Sequence, residues 1–568
     1  MVSFNQSLDT SLQLLYDYSS NFQISVELVQ KLAQHLKLET FIDTSFQFGN
    51  VEGNNQQRLT IAASSILLDI DFENDRKVSN ISLSIGNEST HTTENSKEYI
   101  ESVQNNHGIT VIKLNPNKNP LTFLKKSSDE KSIAEKILLA NLSQPKLNKF
   151  PENLQYLAII DKYANSNQDL FTYIERTALL LHTISQLEIE RNPNNWQIEQ
   201  GLNNAIGNVK IHDITQGKIG LFLEFWKDFR YINHESNTAI GNTYNVQFNI
   251  VSSSYNHEYL LENNKKEWEI ANQGNKERVK FEFEDAVIPT VNNDGTNTTM
   301  LPWMFDLVLN HPIYVPKYIL EYLGLDYTVE ENTTDPLFKI FDKINNSQEV
   351  VDSINILGRN VSCLINHDLI SNFIPLKSVK INHLYDLSSL IPILRNFIVL
   401  SNLYRTLSQN NCIIPRRKSR RRSSRVSFKN DKELTEEIRK KLKDSLKLPD
   451  DVTDEELLGL NAISETATYS TIQPINDMFD LESFIKNDQT TTSKENYFQV
   501  SLDDIDVTSN DLYLTVEAYS DIKEIYIRFK ISNGQIQLLQ DDIDENNAKF
   551  IKTLDLTEDF VVSITSVY

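Results

Sequence analysis

The 568-residue sequence predicts an α+β protein of several domains, built from mixed helical units and antiparallel sheets with a flexible basic linker. Three observations predict it. Apolar residues recur at helical spacing in some stretches and at every second position in others. The chain is longer than one hydrophobic core usually organises. A block of positive charge also interrupts an acidic polypeptide: seven of the ten residues from Arg416 to Arg425 are Lys or Arg, in a chain of formal net charge −23.

The elements follow in order. In NFQISVELVQKLAQHLKLETF (21–41), Ser25 is placed to cap a helix whose Leu28, Leu32 and Leu36 line one face. That stripe needs a cover, either the protein's own core or a partner chain. SSILLDIDFENDRKVSNISLSIG (64–86) alternates Ile66, Leu68, Ile70 and Phe72, turns at Asn74–Asp75 and returns through Ile81, Leu83 and Ile85, the pattern of a β-hairpin. Asp69 and Asp71 fall on the opposite side, where water is the expected neighbour; a carboxylate pair for catalysis or a hard cation is the alternative.

Helical spacing returns near Ser132. Pro151 and Glu152 suit the first turn of a helix carrying Leu154, Leu157 and Ile160 inward. Asp169 is placed to cap the next helix, with Phe171, Ile174, Ala178 and Leu181 in one stripe. From 205 to 290 the period becomes two, through Ile219–Phe225, Val246–Ile250 and Val279–Phe283, which predicts an antiparallel meander covered on one face. LPWMFDLVLNHPIYVPKYILEYLGL (301–325) is expected to lead back to helix through Pro312 and Pro316, with helical segments continuing to about Ser408. The most apolar of them, SSLIPILRNFIVLSNLY (388–404), is interrupted by Pro392, Arg395 and Asn396 and reads as a buried helix rather than a membrane span.

Beyond the basic block, DKELTEEIRKKLKDSLKL (431–448) predicts a charged helix. NDLYLTVEAY (510–519) and KEIYIRFKISNGQIQLLQD (523–541) predict strands around an Asn533–Gly534 turn, separated from the main body by the linker. The resulting division is 1–120 (helix plus β-hairpin), 121–200 (helical), 201–330 (antiparallel β), 331–408 (helical), 409–430 (flexible basic linker) and 431–568 (acidic, helix then strands).

Charge and composition exclude several functions. A sequence pI near 5.0 opposes non-specific attraction to nucleic acid or anionic lipid. Residues 450–568 hold 25 acidic and 7 basic side chains, so most of the net charge lies there. Two cysteines, Cys363 and Cys412, without Cys-x-x-Cys spacing, suit a reducing compartment. The N-terminal stretch has no basic n-region and carries Asp9, so no export signal is expected.

The motif search predicts no catalytic residue, cofactor site or metal site. There is no G-x-G-x-x-G, no G-x-x-x-x-G-K-[ST] and no G-x-S-x-G. No two of the ten histidines lie closer than 16 positions, which excludes H-E-x-x-H. SLDDIDV (501–507) lacks EF-hand spacing. His182 and Cys363 read as core or boundary residues.

The basic block supports more specific readings. Arg416, Arg417, Lys418, Arg420, Arg421, Arg422 and Arg425 form a cluster that an import receptor with acidic pockets can read. Ser419, Ser423 and Ser424 lie among these bases as kinase targets, each phosphate adding about −1.5 to −2 charge. A nucleic-acid contact would need interleaved aromatics and a basic surround, which the block lacks. A solvated spacer is the plainer alternative.

One resemblance spans much of residues 1–428. The succession of ISVELVQKLAQHLKLETF, ILLDIDFENDRKVSNISLSIGN, LNKFPENLQYLAIIDKYAN with DLFTYI, HPIYVPKYILEYL, IPILRNFIVLSNLYRTLS and the basic Ser-containing block resembles the fungal form of the Mediator complex subunit 1 family. From 430 onward the likeness is less distinct. The resemblance implies a nuclear, non-enzymatic coactivator subunit of the Mediator middle module, held by other subunits including 4 and 9. It would relay activator signals to RNA polymerase II without direct sequence-specific DNA binding, a cofactor or a membrane. Animal members carry L-x-x-L-L boxes for nuclear receptors; none of the Leu-Leu pairs here has a Leu three positions before it, so that binding mode is not carried over. Two other classes stay open: a nuclear or cytoplasmic scaffold unrelated to Mediator, and an enzyme whose site carries no recognisable motif.

Overall fold

The computed structural model describes residues 23–44, 57–86, 100–104, 109–163, 170–227, 232–233, 238–239, 242–253, 267–284, 303–407 and 497–567, with short gaps inside several of these ranges. Helix α1 (Val26–His35) begins as expected: Ser25 is extended and its Oγ accepts from Leu28 N at 3.1 Å. The helix buries Val26, Val29, Leu32 and Ala33, a face turned slightly from the leucine stripe. It packs on a four-stranded antiparallel sheet of β1 (Glu39–Asp43), β2 (Gln57–Ala62), β3 (Ile66–Asn74) and β4 (Lys77–Ile85), in sequence order. The predicted hairpin is β3–β4. Its alternating Ile, Leu and Phe side chains are buried, and Arg76 N donates to Asn74 Oδ1 in the turn.

Asp71 departs from expectation, being only 3% exposed. Alternation tells which face a residue joins, but not whether its cross-strand neighbours close over it. Here Arg58 and Asn80 sit opposite Asp71 in register. Arg58 donates to both carboxylate oxygens, at 2.6 and 3.2 Å, and Asn80 Nδ2 adds a third bond at 2.9 Å. The neighbouring Asp69 takes a bond from Thr60 Oγ1.

Helices tie this sheet to the rest. On α2 (Ile133–Leu142), Glu135 forms a capping box with Ser132 and also accepts from Leu83 N in β4 at 2.9 Å. On α3 (Phe150–Tyr163), Asp161 accepts from Ser64 N, Ser65 N and Ser65 Oγ at the β2–β3 turn. Helix α4 (Leu170–Arg191) buries the predicted stripe of Phe171, Ile174, Ala178 and Leu181; Asp169 lies outside the described residues.

The expected meander over 205–290 is divided. Strands β7 (Asn208–Asp213), β8 (Lys218–Lys227) and β11 (Thr243–Ser252) enter a six-stranded sheet, while β9 (Ile232–Asn233) and β10 (Thr238–Ala239) form a small ribbon. Strands β12 (Trp268–Asn272) and β13 (Asn275–Phe283) instead join β6 (Thr110–Leu114) and β5 (Ile100–Gln104), with β13 parallel to β6. Period-two burial specifies a face and is silent about the pairing partner.

The stretch 301–325, expected to lead from the β region back to helix, is mostly one long strand, and residues 331–408, expected to be helical, hold three strands as well as helices. β14 (Trp303–Pro316) pairs on both sides, buries Trp303, Phe305, Leu307 and Leu309, and completes a sheet with β15 (Asp326–Val329) and β18 (Phe373–Ile381), ordered β15-β18-β14-β11-β8-β7. Pro312 is tolerated because pairing to β11 ends at Leu309 and pairing to β18 jumps from Val308 to Ile313, leaving the proline at a bulge. Pro316 ends the strand and precedes α5 (Lys317–Tyr322). There follow β15 (Asp326–Val329), α6 (Leu337–Asn345), β16 (Val350–Ile356), β17 (Arg359–His367), β18 (Phe373–Ile381) and α7 (Leu387–Thr406).

The C-terminal strands also depart from expectation: they belong to the body. β19 (Tyr497–Asp506) pairs in parallel with β17, and β20 (Asp511–Tyr519), β21 (Glu524–Ser532) and β22 (Gln535–Leu538) extend a six-stranded sheet ordered β16-β17-β19-β20-β21-β22. The turn between β21 and β22 is the predicted one, with Asn533 and Gly534 both at positive φ, 48° and 80°. Helices α8 (Glu545–Thr557) and α9 (Phe560–Val567) pack on β22 and β16. Helix α7 lies between the two six-stranded sheets, touching β8 and β14 of one and β20 and β21 of the other. Its length and apolarity would suit a membrane span, but it is the buried core helix the sequence predicts. The linker 409–430 and the charged segment 431–448 lie outside the described residues.

Candidate functional site

A helix wedged between two sheets should be apolar all round, and α7 mostly is. Its most deeply buried polar side chains are Arg395, Asn396 and Asn402, each 1% exposed or less. Burying a cation is costly unless its donors are satisfied. Arg395 meets that condition with oxygens from three separate segments. Nε donates to Phe225 O in β8 at 2.9 Å; Nη2 donates to Gly201 O at 3.0 Å and Asn204 Oδ1 at 2.9 Å; Nη1 donates to Asn204 O at 2.5 Å and Asn533 Oδ1 at 2.7 Å. Burial lowers its pKa to about 9, opposed by the carboxylate of Glu188, so the group stays charged at neutral pH.

The two asparagines extend this seam. Asn396 donates to Asn510 O in the β19–β20 turn, and its Oδ1 accepts from Gly534 N at 2.7 Å. Asn402 Nδ2 donates to Glu558 Oε2 between α8 and α9 at 2.6 Å. Gly534 is required here by conformation and by space: a Cβ would lie 2.4 Å from the Trp226 ring. One face of α7 therefore grips the β19–β20 turn, the β21–β22 turn and the α8–α9 junction.

Two further buried titratable groups, Glu188 and His212, are likewise engaged by backbone. Glu188 accepts from Ala205 N and Ala271 N, and burial raises its pKa. His212 accepts from Gly220 N at Nδ1, so Nε2 carries the proton and donates to Phe123 O at 2.8 Å. Burial lowers its pKa to about 4. Among the described residues, no group of three or more His, Cys, Asp or Glu side chains is placed to hold a metal ion. The arrangement is suited to holding segments together; no nucleophile beside a base emerges from these contacts.

The residues singled out from sequence fall in three places. Leu32 is in the core, with Leu28 and Leu36 partly buried against it. Cys363 is buried, and His182 is half-buried with its pKa lowered by desolvation. Arg416, Arg417, Lys418, Arg420, Arg421, Arg422, Arg425, Ser419, Ser423 and Ser424 lie outside the described residues. Sequence reasoning missed the seam, although an Arg-Asn pair inside the most apolar helix was its signal.

Comparison with known families matches residues 9–409, well over half of the chain, to the model of Mediator of RNA polymerase II transcription subunit 1. No curated protein matches the chain.

Proposed function

Because the chain belongs to the family of Mediator of RNA polymerase II transcription subunit 1, we propose that it is a non-enzymatic Mediator subunit relaying regulatory signals to the polymerase through protein contacts. The family match over residues 9–409 carries this reading. The seam supports it, since buried Arg395, Asn396, Asn402 and Glu188 are engaged in holding segments together rather than presented to a substrate. We place the subunit in the nucleus, in the middle module of a fungal-type complex with subunits 4 and 9 among its neighbours. Arg416–Arg425 serves as its import signal, tuned by phosphate at Ser419, Ser423 or Ser424. The parts of Leu28 and Leu36 left outside the core offer a further partner contact. The test is affinity purification of the tagged full chain followed by mass spectrometry. Mediator subunits should dominate the recovered proteins; a preparation free of them would contradict the assignment.

A further inference from the structure

The sheet β16–β22 has one face packed by α7, α8 and α9 and turns the other to solvent. On that outer face, Tyr497 and Tyr519 stack with ring centroids 6.0 Å apart, and Tyr526 is 51% exposed. At one end α5 brings Tyr322, 64% exposed, to an open depression of about 540 Å³ whose walls include Asp503, Asp504, Tyr513 and Arg528. Tyrosines arranged in this way are the residues that protein interfaces favour, because they bury large area with few rotatable bonds.

Charge selects the occupant. Asp506 directs its carboxylate to Thr508 and Ser509 in its own turn. Asp503 bonds Thr515, whereas Asp504, exposed at the rim, takes only a backbone bond from the adjacent Ile505 among those described for its side chain. The lining holds three carboxylates, Asp503, Asp504 and Asp506, against the single guanidinium of Arg528, so its balance favours a cation, and a guanidinium offers a planar fork for a carboxylate and a face for a tyrosine ring. A nucleic-acid backbone would meet carboxylates, and an apolar helix would meet hydroxyls and charge. We propose that this face docks an Arg-bearing segment of a partner protein, with one cationic side chain seated in the depression beside Tyr322 and Asp504. The inference deepens the assembly reading above by naming a surface and its partner's chemistry.

The test titrates a fluorescein-labelled (Gly-Arg)4 peptide against the full chain by anisotropy, with circular dichroism confirming that each variant is folded. Tyr322→Ala and Asp504→Asn, both at exposed positions, should each weaken binding at least fivefold. Glu269→Gln, which removes an exposed carboxylate from β12 in a different sheet, should change it less than twofold. Absence of binding, or equal losses from Asp504→Asn and Glu269→Gln, would overturn the proposal. So would a fivefold gain on deleting residues 416–425, since the face would then take the chain's own basic block. The titration needs no other Mediator subunit, so its failure and the failure of co-purification are separate results.

Discussion

The sheet β1–β4 and the sheet β16–β22 have similar strands and different histories in the chain. The first is laid down in sequence order, each strand antiparallel to and beside its predecessor, with α1 packed on β1 and β2. The second joins residues 350–367 to residues 497–538 through a parallel pairing of β17 with β19. Its attachment adds a buried polar seam from α7, which neither strand pattern nor local turn chemistry encodes. The comparison teaches that a local sheet is secured mainly by its own alternation, whereas a sheet assembled from distant segments depends on side chains elsewhere that fix where the late segment lands.

The largest expected effect follows from breaking the seam at its centre. Arg395→Ala removes donors from the oxygens of Gly201, Asn204, Phe225 and Asn533 and leaves several buried acceptors unpaired, at a cost of about 3 kcal/mol or more. Urea denaturation should show that loss, and limited proteolysis should cut residues 497–567 before residues 57–86.

His212 lies in β7, in neither of the two sheets compared, and its burial makes the fold pH-sensitive there. Its folded pKa, about 4, is below the ordinary value near 6.5, so the unfolded chain takes up a proton first as pH falls. Its stabilising contribution is full above about pH 6.5 and declines as pH drops toward 4, by up to about 3 kcal/mol. His212→Asn, which suits the positive φ of 68°, should flatten that part of the pH–stability profile.

Gly534→Ala places a methyl against Trp226 at a backbone angle that disfavours it, for an expected loss of about 2 kcal/mol with early exposure of β21–β22 in hydrogen exchange. Asn402→Ala leaves the buried Glu558 carboxylate without that donor and should cost about 1–2 kcal/mol, seen as faster exchange in α8 and α9. Deleting residues 416–425 should change stability by less than about 0.5 kcal/mol. Its effect should appear instead in fluorescence microscopy, as a shift of the tagged chain from nucleus to cytoplasm.

The start of α1 and the β3–β4 half of the first sheet were legible because their signals are local, whereas β1 and β2 were not anticipated. Ser25 caps α1, Asn74 closes the β3–β4 turn, and the alternation of Ile66–Phe72 names the buried face. Asp71 was not, because its burial depends on Arg58 and Asn80 from adjacent strands. The Asn533–Gly534 turn was legible, yet its role under Arg395 and Asn396 was not, since the bonds span more than a hundred residues. Prolines misled the reading of β14: Pro312 looks like a helix boundary until the bulge that accommodates it is known.

Residues 497–567 belong to the same folded body as residues 23–407. A protease site introduced between residues 450 and 490 of the full chain, cut to completion, with the product run on size exclusion at micromolar concentration, reads this out. One peak containing both fragments is expected, with the amides of β17 and β19 still slow to exchange. Separate elution of a C-terminal fragment, with β17 amides exchanging freely, would contradict it.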